Sequence, residues 1–148
     1  MRQILLVGLL ALAMVGCATA PYGNFVGEFT NGEQEELAGD AVLQLATLYP
    51  PAKTHLMLGQ ATSDVFGVSL VKQLRDSGYA VEETNAPKAK ATAPMSDAST
   101  LALRYVLDHA GSPHLYRVTL WVGAQSISRP YLKQSKGIIP AGYWARKE

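Results

Sequence analysis

The chain has 148 residues, of which 13 are Lys or Arg and 12 are Asp or Glu, so its formal net charge at pH 7 is +1. This length suits one small domain with short extensions. The nearly balanced charge argues against a surface that binds DNA or RNA directly, since such a surface needs an excess of basic side chains. The single cysteine excludes an internal disulfide bond.

The first seventeen residues have the order of parts found in a bacterial lipoprotein export signal. Arg2 supplies a positive start, Ile4 to Val15 is an uncharged apolar run, and Met14-Val15-Gly16-Cys17 fits the lipobox, whose cysteine is the modified residue. The apolar run spans about 18 Å as a helix, short of the roughly 30 Å of a bilayer core. We therefore expect residues 1–16 to be a cleaved signal peptide and Cys17 to carry lipid.

A lipid on Cys17 predicts where the protein resides. Two or more acyl chains, at about 0.8 kcal/mol per buried methylene, make membrane attachment effectively permanent. Residue 18 is Ala. An Asp directly after the lipidated cysteine would be a signal for retention at the inner membrane, and this signal is missing at position 18. We expect an anchor in the outer membrane of a Gram-negative bacterium, facing the periplasm. An ordinary secretory signal with an incidental cysteine, or a cytosolic chain with an apolar start, explains the pattern less well.

Residues 17–32 are predicted to form a flexible tether that begins with the lipidated cysteine. Three Gly, one Pro and two Asn among residues 18–32 exclude a long helix or strand. The segment is nevertheless more apolar than a plain spacer needs, and its candidate partner-docking residues are Tyr22, Phe25, Val26 and Phe29. These side chains could pack on the domain, lie among lipid headgroups or dock on a partner protein, and the sequence leaves this choice open.

Residues 33–132 are predicted to form an α+β periplasmic domain, and its first helix spans residues 33–49. Thr30 and Glu33 have the spacing of a capping box, with Asn31 as a rival N-cap. Pro50-Pro51 ends the helix because proline has no N–H to donate.

The next segment predicts a strand, a helix and a strand. Residues 54–58 form the first strand, and Thr62 or Ser63 is the N-cap of a second helix that ends before Gly78. Residues 79–83 form the next strand. This order favours a right-handed crossover onto a sheet.

Residues 85–99 are predicted to be a mobile surface loop, because they hold two prolines and alternate Ala with Lys. Two strands with alternating apolar residues follow, at 101–108 and 116–122. Folding them about the turn so that residue 109 faces residue 114 places four apolar pairs on one face: Leu107–Tyr116, Tyr105–Val118, Leu103–Leu120 and Leu101–Val122. Asp108 and Arg117 then lie on the other face as diagonal neighbours.

Residues 127–132 are predicted to form a short strand at an edge of the sheet, because Pro130 cannot donate a ladder hydrogen bond. Residues 133–148 form a C-terminal tail whose apolar residues are Ile138, Ile139, Tyr143 and Trp144. We favour a tail that folds back over the core, and the alternative is a docking segment. The fold prediction is therefore α+β, with two helices on one face of a mainly antiparallel sheet of four to five strands.

The sequence predicts no catalytic, cofactor-binding or metal-binding residues, and so no enzyme. No Gly-x-Ser-x-Gly motif and no glycine-rich phosphate loop are present. Asp108, His109 and His114 bracket one turn and invite a metal or triad interpretation. Two histidines and one carboxylate make a weak site, and a polar hairpin end explains them better.

Seven motifs in order along the chain resemble the TrbH family, lipoproteins of the conjugal-transfer (type IV secretion) systems encoded on broad-host-range and tumour-inducing plasmids. They are Cys17-Ala18-Thr19, Tyr22-Gly23-Asn24-Phe25-Val26, Leu37-Ala38-Gly39-Asp40, Leu48-Tyr49-Pro50-Pro51-Ala52, Asp64-Val65-Phe66-Gly67, Leu74-Arg75-Asp76-Ser77-Gly78-Tyr79 and the end from Pro140 to Glu148. The resemblance covers essentially the whole chain.

The resemblance implies that Cys17 is the lipid site and that the protein acts in mating-pair formation, as a structural component of the outer-membrane part of the transfer channel. The implied partners are outer-membrane lipids and subunits of the type IV secretion core complex, with a second copy of the chain as a further candidate. The alternatives that share the anchor are a ligand-binding or enzymatic periplasmic lipoprotein and an entry-exclusion lipoprotein.

Overall fold

Two helices and eight strands make up residues 21–83 and 100–148, the part of the chain that the computed structural model describes. The predicted signal peptide, the predicted lipid site Cys17 and the predicted loop 85–99 lie outside these residues. In chain order the elements are β1 (Gly23–Asn24), α1 (Asn31–Leu48), a 3-10 turn (Pro51–Lys53), β2 (His55–Leu58), α2 (Val65–Asp76), β3 (Ala80–Glu82), β4 (Thr100–Ser112), β5 (Leu115–Val122), β6 (Gln125–Gln134), β7 (Gly137–Pro140) and β8 (Ala145–Lys147).

The strands form one mixed sheet in the order β3-β2-β4-β5-β6-β7, with β1 beside β4 and β8 beside β6. The strand pairs β2–β3, β2–β4 and β1–β4 are parallel, and the pairs from β4 to β8 are antiparallel. The predicted four- to five-stranded, mainly antiparallel sheet after a flexible tether is therefore wrong. The missed strands have two to four residues each, too few for an alternating pattern to show.

The capping box at the start of α1 is present. The Thr30 hydroxyl accepts a hydrogen bond from the Glu33 N–H at 3.2 Å, and the Glu33 carboxylate accepts one from the Thr30 N–H at 2.8 Å. These two bonds satisfy N–H groups that the helix itself leaves unpaired.

The N-cap of α2 is Asp64, not Thr62 or Ser63. Its carboxylate accepts a hydrogen bond from the Gly67 N–H at 3.0 Å and another from the Tyr105 hydroxyl. A Cβ on Gly67 would lie 2.2 Å from that hydroxyl oxygen. Glycine therefore lets the first turn of α2 sit directly on β4.

The β4–β5 pairing differs by two residues from the predicted register. Leu103 lies opposite Val122 and Leu107 opposite Val118. Two residues of β4, Ala110 and Gly111, have no partner in β5 because the register shifts between His109 and Ser112, and Gly111 has a φ of +80°. A shift by two keeps every side chain on its predicted face, since side chains alternate with period two.

Both helices cover one face of the sheet, which we call the covered face. One apolar core fills the space between the helices and the sheet. Its buried side chains come from both helices, from β2, β4, β5, β6 and β7, and from the segments before α1 and before β3; the largest include Tyr105, Tyr116, Tyr131, Phe66 and Leu37. No described helix covers the opposite side, the open face. Its residues alternate with the core residues of the same strands and include Met57, Arg104, Val106, Thr119, Trp121 and Ser128.

The C-terminal residues complete the sheet. β7 and β8 both pair with β6 on the side away from β5, and Pro130 lies between the segments of β6 that they contact. The prediction that this strand lies at an edge is therefore wrong. Ile138 is buried, Trp144 packs against the core, and Tyr143 remains 93% exposed.

Candidate functional site

The candidate site begins with residues 21–30, the N-terminal segment, which lies against the sheet. β1 pairs in parallel with β4, with Gly23 opposite Val106. The Phe25 N–H extends this pairing with a 2.9 Å hydrogen bond to the Leu107 carbonyl oxygen. The segment is therefore joined to the middle of the longest strand.

Side-chain hydrogen bonds also join the segment to α1. The Asn24 amide nitrogen donates to the Gln34 side-chain oxygen at 2.8 Å, and its own side-chain oxygen accepts from the Val26 N–H at 3.0 Å. Gln34 is buried, so this bond satisfies a polar group that burial would otherwise penalise. The Asn24 side chain thus stabilises the local turn at Val26 and also links the segment to α1.

The end of the segment packs around Phe29. Its ring lies 4.5 Å from the ring of Tyr116, and the Lys133 ammonium lies 5.0 Å from its centroid. Lys133 also forms a 3.1 Å ion pair with Glu33. The Thr30 N–H bond, with a smaller contribution from Lys133, lowers the pKa of the Glu33 carboxyl below its ordinary value.

The four predicted docking residues divide into two pairs. Val26 and Phe29 are 5% and 7% exposed and belong to the core. Phe25 is 51% exposed, and Tyr22 is half-buried. Partner docking by this set stays a prediction, and the surface available for it lies at Phe25 and Tyr22.

Tyr22 connects the N-terminal segment to the open face. Its ring meets the ring of Trp121 edge-on, with centroids 5.3 Å apart and planes at 75°. The guanidinium carbon of Arg104 lies 5.1 Å from the Tyr22 centroid. Edge-to-face aromatic pairs and cation–π contacts of this geometry are both favourable. We call Tyr22, Arg104 and Trp121 the aromatic cluster. The sequence alone did not connect these three residues.

The residues of the turn between β4 and β5 do not surround a common centre. Arg117 holds Asp108 through two hydrogen bonds of 3.1 and 2.6 Å. The His109 ring packs on Tyr116, and its Nε2 lies 3.3 Å from the Glu28 carboxylate, while His114 is exposed in the turn. Residues 21–83 and 100–148 contain no group of three or more His, Cys, Asp or Glu placed to hold a metal ion.

Two buried tyrosines tie the helices to the sheet. The Tyr105 hydroxyl donates to Asp64 at the start of α2, and the Tyr131 hydroxyl donates to Asp40 in α1. Burial, and secondly the neighbouring carboxylate, raises the pKa of each phenol well above its ordinary value. Both hydroxyls therefore remain hydrogen-bond donors at neutral pH.

Neither described helix has the length and apolar character that crossing a bilayer demands. Searches of curated proteins and of solved structures find no significant match. The family model described as conjugal transfer protein TrbH matches residues 19–148, which is most of the chain and includes the N-terminal segment, both helices and all eight strands. This match shows that the chain belongs to the TrbH family of conjugal transfer proteins.

Proposed function

We propose that this protein is an outer-membrane lipoprotein, acylated at Cys17, that acts as a structural component of a conjugative type IV secretion channel. Membership of the TrbH family makes it a conjugal transfer protein, and the anchor and the assembly role go beyond that. The observation that carries the proposal is the family match over residues 19–148, directly after a sequence that fits a lipobox.

The buried and half-buried polar side chains support a scaffolding role, because they hold the helices and the sheet together. Asp40 binds Arg129 and Tyr131, and Asp64 caps α2 and binds Tyr105. The bonds to Arg129, Tyr131 and Tyr105 each join a helix to the sheet. We propose a non-catalytic role, in which a rigid domain is held at the membrane and presents its surface to other subunits.

The N-terminal segment supports the same proposal because it connects the proposed lipid site directly to the sheet. Residues 23–25 are hydrogen-bonded to β4, so an anchor at Cys17 would restrain the whole domain rather than the end of a loose chain. The proposed partners are subunits of the outer-membrane core complex, with Phe25 as an exposed contact, and a second copy of the chain.

Replacement of the proposed lipid site tests the function. In Cys17→Ser, palmitate labelling should disappear and the protein should leave the outer-membrane fraction. Because the acyl chains supply the attachment, we expect plasmid transfer to fall by about tenfold or more. Ala18→Ser, which keeps the cysteine, is the matched control. It should be labelled with palmitate and should support plasmid transfer at the native frequency.

A second variant separates attachment from location. Ala18→Asp should be labelled like the native chain but should sediment with the inner membrane, and transfer should fall if the outer membrane is the working location. Undiminished transfer by Cys17→Ser would contradict the anchoring role. Labelling that persists in Cys17→Ser would show that the lipid is elsewhere.

A further inference from the structure

The distance between the proposed lipid site and the domain is short. Four residues, 18–21, separate Cys17 from Tyr22, and a fully extended chain advances at most about 3.6 Å per residue. The two Cα atoms therefore lie within about 18 Å of each other. Because Tyr22 packs on Trp121 and the next residue pairs with β4, the domain lies close to any membrane that holds Cys17.

The same contacts decide which side of the domain is near the membrane. Tyr22 lies on the open face, against Trp121 and Arg104, and both helices lie on the other side of the sheet. Turning the helices toward the bilayer would take the connecting residues past the sheet and a helix layer, about 15 Å in all. That path would use nearly their whole length and remove most of their conformational freedom. With the open face toward the bilayer, the chain from Cys17 to Tyr22 has to cross neither the sheet nor the helix layer.

The chemistry of the open face suits a lipid headgroup layer. Trp and Tyr rings combine an apolar body with a polar edge and are enriched at membrane interfaces. An Arg guanidinium binds phosphate well, and Arg104 is positioned beside the two rings. Arg117 on this face is paired with Asp108, so charge is nearly balanced there and the aromatic rings supply most of the expected attraction.

We infer that the open face rests on the lipid headgroups of the membrane, with the aromatic cluster at the interface and the two helices directed away from the bilayer. This inference rests on the proposed acylation of Cys17. It adds an orientation: the two helices, including the outer side of α1 where Leu43 is 71% exposed, are directed toward other proteins.

The two tryptophans of the chain provide an internal test. Trp121 belongs to the aromatic cluster, and Trp144 packs against the core on the covered face. Full-length acylated protein is incorporated into vesicles of phosphatidylethanolamine and phosphatidylglycerol that contain lipids spin-labelled at the headgroup. Trp144→Phe leaves Trp121 as the only tryptophan, and Trp121→Phe leaves Trp144; each is excited at a wavelength that tyrosine does not absorb. Because the interface favours aromatic rings, we expect Trp121 to be quenched at least about twofold more strongly than Trp144.

A second label keeps the test valid if a tryptophan variant does not fold. With Cys17 acylated, a new cysteine is the only free thiol, so a fluorescent label can be placed at Thr119→Cys on the open face or at Leu43→Cys on α1. The label at position 119 should be quenched by the headgroup spin labels, and the label at position 43 should remain in water.

The outcomes separate the orientation from the anchor. Protein that carries no lipid and does not co-sediment with vesicles would overturn both the anchor and the orientation. Acylated protein that co-sediments but shows equal quenching at both positions would overturn the orientation alone. Equal quenching together with a crosslink in cells from Thr119→Cys to a channel subunit would show that the open face binds protein instead of lipid.

Discussion

Each face of the sheet carries an Arg–Asp pair, and these two pairs differ in their surroundings. On the covered face, Arg129 Nη1 lies 2.9 Å from both oxygens of Asp40, and Arg129 Nε donates to the Gly142 carbonyl oxygen at 2.8 Å. On the open face, Arg117 binds Asp108 through two bonds of similar length. The arginine side chains are 19% and 46% exposed, respectively. On the covered face the Arg–Asp pair therefore joins a helix to the sheet, whereas on the open face it joins two neighbouring strands.

The largest effect is expected where the covered face is packed most tightly. In Gly67→Ala the new Cβ would lie 2.2 Å from the Tyr105 hydroxyl oxygen and 3.0 Å from the Thr62 Cα. Either α2 moves away from β4 or the Tyr105–Asp64 hydrogen bond breaks. We expect the free energy of unfolding to fall by about 2–4 kcal/mol in a urea titration.

Gly32→Ala is the matched control for this variant. Gly32 lies in the first turn of α1, and a Cβ there meets no atom within 4 Å. Since Ala favours helix over Gly by up to about 1 kcal/mol, this variant should be neutral or slightly more stable. Equal stability of Gly67→Ala and the native protein would mean that α2 does not need its close contact with β4.

The next effect concerns the Arg–Asp pair of the covered face. Asp40→Ala removes the acceptor for both Arg129 and the Tyr131 hydroxyl, leaving two poorly exposed donors without their partner. We expect a loss of about 2 kcal/mol in the free energy of unfolding, measured in urea. Asp76→Ala serves as the control, because Asp76 and its partner Lys72 are 61% and 73% exposed, and its loss should stay within about 0.5 kcal/mol. Similar losses for both variants would contradict a structural role for Asp40.

The sequence was sufficient to predict which residues face the core but not how the long hairpin is aligned. Leu103, Tyr105 and Leu107 alternate clearly, and they are buried as expected. The alignment depends on the unpaired residues Ala110 and Gly111, and a sequence that contains Gly near a turn does not show whether the glycine lies in the turn or in a bulge before it.

The short strands and the aromatic cluster could not be predicted because they depend on contacts distant in sequence. β1 contains two residues, Gly23 and Asn24, and their extended conformation follows from pairing with β4 rather than from local preference. Trp121 is recognisably on the non-core side of β5, but its contact with Tyr22 exists only because β1 brings that residue there. Local patterns therefore predicted most of the core and little of the candidate site.

The smallest effect is expected for the pair on the open face, and it tests whether that face is exposed to water in the protein free of membrane. In a double-mutant cycle of Asp108→Ala and Arg117→Ala, the coupling energy should be about 0.5 kcal/mol and should decrease in high salt, because solvent and ions screen exposed charges. The equivalent cycle for Asp40 and Arg129 should give a larger coupling with a weaker dependence on salt, since the Arg129 side chain is 19% exposed and that of Arg117 is 46% exposed. A coupling between Asp108 and Arg117 as large as that between Asp40 and Arg129 would mean that the open face already excludes water without a bilayer. The contrast between the two faces would then disappear.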